Sequence, residues 1–167
     1  MSNFDFKLVE IDKPDEMNFI LGQSHFIKTV EDIYETIKNT VPTAKFGIAF
    51  CEASCDCKIR FDGNDEKLKK IATKNARKIA AGHSFLVFME DCFPLNILNN
   101  IKNIPEVCHV FCATANPTKI VICESENKGL KGRGIVGVID GFVPKGIENS
   151  NEKQWRHKFL REINYKL

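Results

Sequence analysis

The chain has 167 residues, 43% of them hydrophobic, the length of one ordinary domain with enough apolar content for a core. Its 24 Lys and Arg against 22 Asp and Glu leave a net charge of +2, too balanced to call for a nucleic-acid partner. No window reaches the roughly eighteen apolar residues of a membrane span, and Met1-Ser-Asn-Phe-Asp-Phe6 has neither the basic nor the apolar region of a secretory leader. A single domain over residues 1–167, with no membrane and no nucleic acid to bind, is expected.

In chain order, Phe4, Phe6 and Leu8 alternate with Asp5, Lys7 and Glu10 and predict a first strand over Phe4 to Ile11. Lys13-Pro14-Asp15 ends it, and Met17 to Gly22 reads as an apolar connection into Gln23-Ser24-His25. Thr29 has the chemistry of an N-cap for a helix carrying Val30, Ile33, Tyr34, Ile37 and Val41, stopped by Pro42. Lys45 to Glu52 predicts a strand with Phe46, Ile48 and Phe50 toward the core. Gly47, Ala49 and Cys51 leave room on its other side for something close, and a return strand, Lys58 to Phe61, makes a hairpin.

Asp62-Gly63-Asn64-Asp65 combines a turn with a cap for an amphipathic helix through Leu68, Ile71, Ala72, Ala76 and Ile79, with Gly82 placed as its C′ residue. The opposite face carries Lys67, Lys69, Lys70, Lys74, Arg77 and Lys78 without interleaved aromatics, the pattern of a solvated basic face. Ser84 to Met89 is apolar throughout, as in a strand covered on both faces. Pro94 opens a helix with Leu95, Leu98 and Ile101 inward; Val107 to Ala113 and Lys119 to Cys123 are strands joined at Thr114-Ala-Asn-Pro117. Trp155, Phe159, Leu160 and Ile163 predict a C-terminal helix on the sheet. The order β-α-β-β-α-β-α-β-β-β-α predicts one α/β (α+β) domain with a mixed sheet packed with helices.

The seven cysteines are an odd number, and Cys51, Cys108, Cys112 and Cys123 lie in apolar strand-like runs. That favours reduced thiols in a cytoplasmic setting over a disulfide framework. Cys51, Cys55 and Cys57 form C-x3-C-x-C, which is not the C-x2-C knuckle of structural zinc, so a metal–thiolate protein is the least favoured reading.

Six of the ten glycines fall between residues 129 and 146. Lys131, Gly132, Arg133 and Gly134 read as a basic glycine loop whose amides and guanidinium suit phosphate oxygens, ahead of a short strand ending at Asp140. Strand ends also carry Glu52, Asp91, Thr114 with Asn116, and Glu124. Carboxylates facing cations on one rim are what phosphoryl transfer to an alcohol requires; plain solubilising groups are the alternative. His25 and His83 stand beside Ser24 and Ser84 as proton carriers, stacking rings or structural histidines. No G-x4-G-K-[ST] occurs, so there is no P-loop.

The wording of several segments is more specific. Ile20-Leu-Gly-Gln-Ser-His-Phe-Ile-Lys-Thr-Val-Glu-Asp32, Lys45-Phe-Gly-Ile-Ala-Phe-Cys-Glu-Ala-Ser54, Ala81-Gly-His-Ser-Phe85, Cys112-Ala-Thr-Ala-Asn-Pro117 and Gly132-Arg-Gly-Ile-Val-Gly-Val-Ile-Asp-Gly141 resemble the archaeal and bacterial adenosine-specific kinase family, with likeness from about Leu8 to Leu167. The resemblance implies phosphorylation of adenosine at its 5′-hydroxyl by ATP with Mg²⁺, giving AMP and ADP, on a family-specific fold without a P-loop, assembled as a homotrimer. A non-catalytic AMP or adenosine sensor is the alternative. One departure is that Cys55 follows Glu52-Ala-Ser54 where the family pattern has glycine; another is a longer stretch at Asn127 to Lys131.

On the matching positions, Asp140 is expected to orient the hydroxyl, with His25 and Lys28 near the transferred group. Gly132, Arg133 and Gly134 are expected to hold phosphate. Glu52, His83, Phe85, Thr114 and Asn116 are expected to hold the nucleoside, and Asp91 with Glu52 to serve as metal ligands.

Overall fold

The computed structural model describes residues 4–127, 129–163 and 165–167. Its strands are β1 (Phe4–Glu10), β2 (Asn18–Ser24), β3 (Lys45–Cys51), β4 (Ile59–Gly63), β5 (Ser84–Glu90), β6 (Val107–Thr114), β7 (Thr118–Asn127) and β8 (Leu130–Asp140). Its helices are α1 (Thr29–Thr40), α2 (Glu66–Ile79), α3 (Pro94–Lys102) and α4 (Ser150–Glu162). The α+β domain holds, but the strands do not form one mixed sheet. They divide into a five-stranded sheet, β4-β3-β5-β2-β6, and a three-stranded one, β1-β7-β8, and every pairing is antiparallel. Helices α1, α2 and α3 connect strands without forcing a parallel pair.

The five-stranded sheet is the middle layer. On one face Phe46, Ile48, Phe50, Phe85 and Val87 pack with Ile33 and Ile37 of α1 and Ile97 and Ile101 of α3. On the other, Phe19, Leu21, Ala49, Leu86 and Phe88 pack with Leu68, Ala72 and Ala76 of α2 and with Ile120 and Ile122 of β7. The close object that the small side of β3 admits is therefore α2. A Cβ on Gly47 would stand 2.2 Å from the Leu68 carbonyl carbon, so only glycine lets the helix lie this near.

Strand β2 was expected as a connection. Phe19 and Leu21 face α2 while Ile20 faces α1, so both sides are buried and the apolar run has no alternation to reveal it. In β1 the phase is opposite to the obvious one: Phe4, Phe6 and Leu8 point outward and stay 59–63% exposed, while Lys7 reaches the buried Glu124. In α3, Ile97 and Ile101 face inward and Leu95 is exposed.

Helix α2 begins at Asp65, whose side chain accepts from the Leu68 N–H, and ends at Ala80 in the left-handed region (φ 48°). Gly82 is not the capping residue; its missing Cβ admits Ala53, whose own Cβ would lie 2.8 Å away. Helix α4 does not pack along a sheet. None of its residues is buried, and Trp155 stacks on Phe159 at 5.2 Å while remaining 64% exposed. Phe159 and Ile163, at its C-terminal end, line a depression together with Asn18, Phe93 and Ala113.

Candidate active site

Antiparallel pairing brings the ends of β2 and β3 and the starts of β4, β5 and β6 to one rim of the large sheet. Backbone bonds knit it together: His83 N–H donates to the Cys51 carbonyl, Ser24 N–H to the His83 carbonyl, and His25 N–H to the Glu106 carbonyl. Ala80, His83, Cys55 and Cys57 all have positive φ, 48° to 63°, around this rim. Left-handed geometry at residues with a Cβ costs free energy and concentrates at functional sites. Cys55 adopts a φ of 54°, a conformation that glycine takes at no steric cost.

Beneath the rim, between the end of α2 and the start of β8, lies a cavity of about 490 Å³. Glu52, Cys57, Arg77, Gly82, Lys131 and Arg133 are among the residues that line it. Arg60 Nη2 donates to Glu52 Oε2 at 3.0 Å, and the Lys58 N–H donates to the same oxygen at 3.3 Å, which leaves Oε1 without a partner among the described residues. Burial pushes the Cys51 thiol, on the cavity wall, above its ordinary pKa.

Gly132, Arg133 and Gly134 are not in a loop. They belong to β8, at an edge of the smaller sheet, paired with Ser125, Glu124 and Cys123 of β7. An edge strand still turns every second N–H away from its sheet. Arg133 Nε donates to Glu124 Oε2 at 2.6 Å, while Nη1 donates to the carbonyls of Lys78 and Ile79 at the end of α2.

Along the rim from the cavity, the His25 and His83 rings meet edge to face at 5.3 Å, and His83 lies over Phe50 at 6.1 Å. Lys28 donates to Asp32 at 2.7 Å and lies 3.2 Å from the buried Glu106 carboxylate. Hydrogen bonds to Asp32 and then Glu106 hold its ammonium above the usual lysine pKa.

Other expected residues lie elsewhere in the chain. Asp140 closes β8, roughly 20 Å of extended strand from Arg133. There it accepts from Thr114 Oγ1 and Asn116 Nδ2, each at 2.9 Å, so these three residues do meet, but away from the cavity. Burial and then the nearby Asp140 push the Cys112 thiol up to about 12. Asp91 pairs with Lys45 at 3.0 Å, at the opposite end of β3 from Glu52, so the two carboxylates cannot share an ion within one chain. Phe85 is fully buried under Gly22, with its ring committed to the core.

Among the described residues no three His, Cys, Asp or Glu side chains converge as a metal site, and all seven cysteines are unpaired. Arg60, Arg77 and Glu106 were not expected here. The helical phase placed Arg77 on a solvated face, and only the crossing of β8 over the end of α2 puts it beside the cavity.

The family model for adenosine specific kinase matches residues 9–166. The chain belongs to the adenosine-specific kinase family. Its fold matches the crystal structure of the PH1918 protein from Pyrococcus horikoshii OT3 with a TM-score of 0.90 and 37% sequence identity, over 99% of each chain. No curated protein matches it. Membership of this kinase family supports adenosine phosphorylation in general. No helix among the described residues is long and apolar enough to cross a membrane.

Proposed function

We propose that this adenosine-specific kinase transfers the γ-phosphoryl group of ATP to the 5′-hydroxyl of adenosine at the cavity between α2 and β8 and the rim above it. The 5′-oxygen forms a bond to the γ-phosphorus, the bond from that phosphorus to the bridging oxygen breaks, and ADP leaves with AMP as the second product. The observation that supports this place best is the meeting of a carboxylate, Glu52, with Arg77, Lys131 and Arg133 in one cavity.

Glu52 is the strand-end carboxylate whose Oε1 orients the hydroxyl and accepts its proton. Lys131 and the free N–H groups at the edge of β8 face the phosphates. The exposed His25 ring, beside His83, supplies a surface for the adenine. Magnesium suits the cavity as an ion carried by the nucleotide, since it needs only one or two carboxylates beside phosphate oxygens, and it would offset charge on the transferred group. Asp140, with Thr114 and Asn116, serves the same reaction only where a second subunit brings that cluster to the rim.

A homo-oligomer, a trimer by family resemblance, fits the exposed Phe4, Phe6 and Leu8 of β1, separated from the glycines of β8 by β7 alone. A reducing cytoplasm suits the unpaired thiols. The test is incubation with ATP, Mg²⁺ and adenosine, followed by separation of nucleotides. AMP and ADP formed in equal amounts support the kinase; tight AMP binding with no turnover leaves the sensor reading instead.

A further inference from the structure

Two arginines border the cavity, and they are not equivalent. Arg133 is nearly spent: Nε serves Glu124 at 2.6 Å, and Nη1 serves the carbonyls of Lys78 and Ile79 at 3.2 and 3.3 Å. Those carbonyls are the negative end of α2, which would repel an anion if left bare. Arg133 therefore neutralises the wall. Arg77, on the last turn of α2, is exposed and has no ion-pair or hydrogen-bond partner among the described residues. It lines the cavity together with Lys131 and Gly132. It also lines two shallower depressions that continue along α2, one with Lys70, Lys74 and Lys78 and one with Phe61 and Lys70.

We propose that Arg77 is the guanidinium that binds the polyphosphate of the nucleotide, whose outer phosphates run from the cavity along the basic face of α2. Arg133 is then a positioning residue that holds the end of α2 and Glu124. The assignment rests on the kinase reading and deepens it, because it says which cation touches the ligand. Arg77 keeps all five donors for a planar, two-point grip on phosphate oxygens, and no protein anion must be displaced first.

Isothermal titration of ATP, and separately of sodium tripolyphosphate, onto wild-type protein, Arg77→Ala, Arg77→Gln and Lys67→Ala tests the proposal. Lys67 is on the same helix, pairs with Glu90 and lines none of the three depressions, so it reports the effect of charge alone. Both Arg77 variants are expected to weaken both ligands by at least about tenfold, the scale of a charge-assisted hydrogen bond. Lys67→Ala should stay within about twofold. Unchanged affinity in the Arg77 variants, or a loss no greater than in Lys67→Ala, overturns the assignment. Should wild type still turn adenosine into AMP in that case, the kinase reading survives without Arg77. A wild type that neither turns over nor binds ATP removes both. Arg77→Gln keeps the first two methylenes and a neutral polar tip on α2 if Ala disturbs the helix end.

Discussion

Arg133 Nε meets Glu124 Oε2 at 2.6 Å, and the other Glu124 oxygen takes the Lys7 ammonium, also at 2.6 Å. One buried carboxylate thus ties β1, β7 and β8 together and, through Arg133, fastens them to the end of α2. The hydrogen bonds from Lys7 and then Arg133 lower the Glu124 pKa from 4.5 to about 2. Because the folded value is the lower one, the clasp contributes stability that is complete above about pH 4.5 and is lost as pH falls toward 2. Urea midpoints across that window should fall more steeply for wild type than for Glu124→Gln, which has no proton to take up there. Parallel curves would show that the clasp carries no pH-dependent stability.

Gly47→Ala is expected to destabilise the fold by about 3 kcal/mol, the upper range for overpacking. The added methyl meets the backbone of α2 at Leu68 and Lys69, which cannot turn aside as a side chain would. Urea unfolding measures the loss, and a midpoint equal to wild type would mean that α2 does not lie this close to β3.

Much of this was legible in the residues. Phe46, Ile48 and Phe50 opposite Gly47, Ala49 and Cys51 already described a strand with one bulky and one close-packed side, and the apolar run at Ser84 described its doubly buried neighbour. Other features were not legible, for reasons that can be named. A stretch such as Met17 to Gly22, apolar because both sides are covered, has no period to separate strand from connection. Glycines 132 and 134 carry no side-chain signal that separates an edge strand from a loop. The phase of β1 depended on Glu124, more than a hundred residues away. Strand-end carboxylates were visible one by one, yet which ends share a rim is set by pairing order, and this places Glu52 with Arg77 while carrying Asp140 and Asp91 elsewhere.

Cys57 offers a test of where the nucleotide lies that leaves the chain unaltered. It is exposed and lines the cavity, whereas Cys55 is exposed outside it and Cys51 is buried. Brief treatment with iodoacetamide, read by mass spectrometry of peptides, should label Cys55 and Cys57 well before Cys51. Saturating ATP should slow the labelling of Cys57 several-fold while leaving Cys108 unchanged. Equal rates at Cys57 with and without ATP would place the nucleotide outside this cavity.

Phe6→Asp should dissociate the proposed homo-oligomer, since it puts a charge in the middle of the outward face of β1, beside Phe4 and Leu8. Light scattering during gel filtration reads the mass directly. Gly134→Ala adds a methyl to β8 where nothing lies within 4 Å in the isolated chain, so it should leave monomer stability unchanged and weaken assembly only if a neighbour covers it. An unaltered mass for Phe6→Asp would assign the contact to another face, such as the exposed Trp155 side of α4.

The choice between Glu52 and Asp140 can be made with two substitutions that keep size and remove charge. With Glu52 as the carboxylate that orients the hydroxyl, Glu52→Gln should lower kcat at least about a hundredfold, the scale of general-base loss, with little change in the affinity for ATP. Asp140→Asn should then have a small effect, because its partners Thr114 and Asn116 can still bond an amide oxygen and the cluster is remote from the cavity within one chain. The opposite pattern, a large loss in Asp140→Asn and a small one in Glu52→Gln, would move the chemistry to the far end of β8 and require that a second subunit complete it. If both substitutions instead cause a large loss, mixing Glu52→Gln with Asp140→Asn subunits discriminates further. Recovery of activity in the mixture, above that of either parent, shows a site shared between chains, whereas additive residual rates show that each chain works alone.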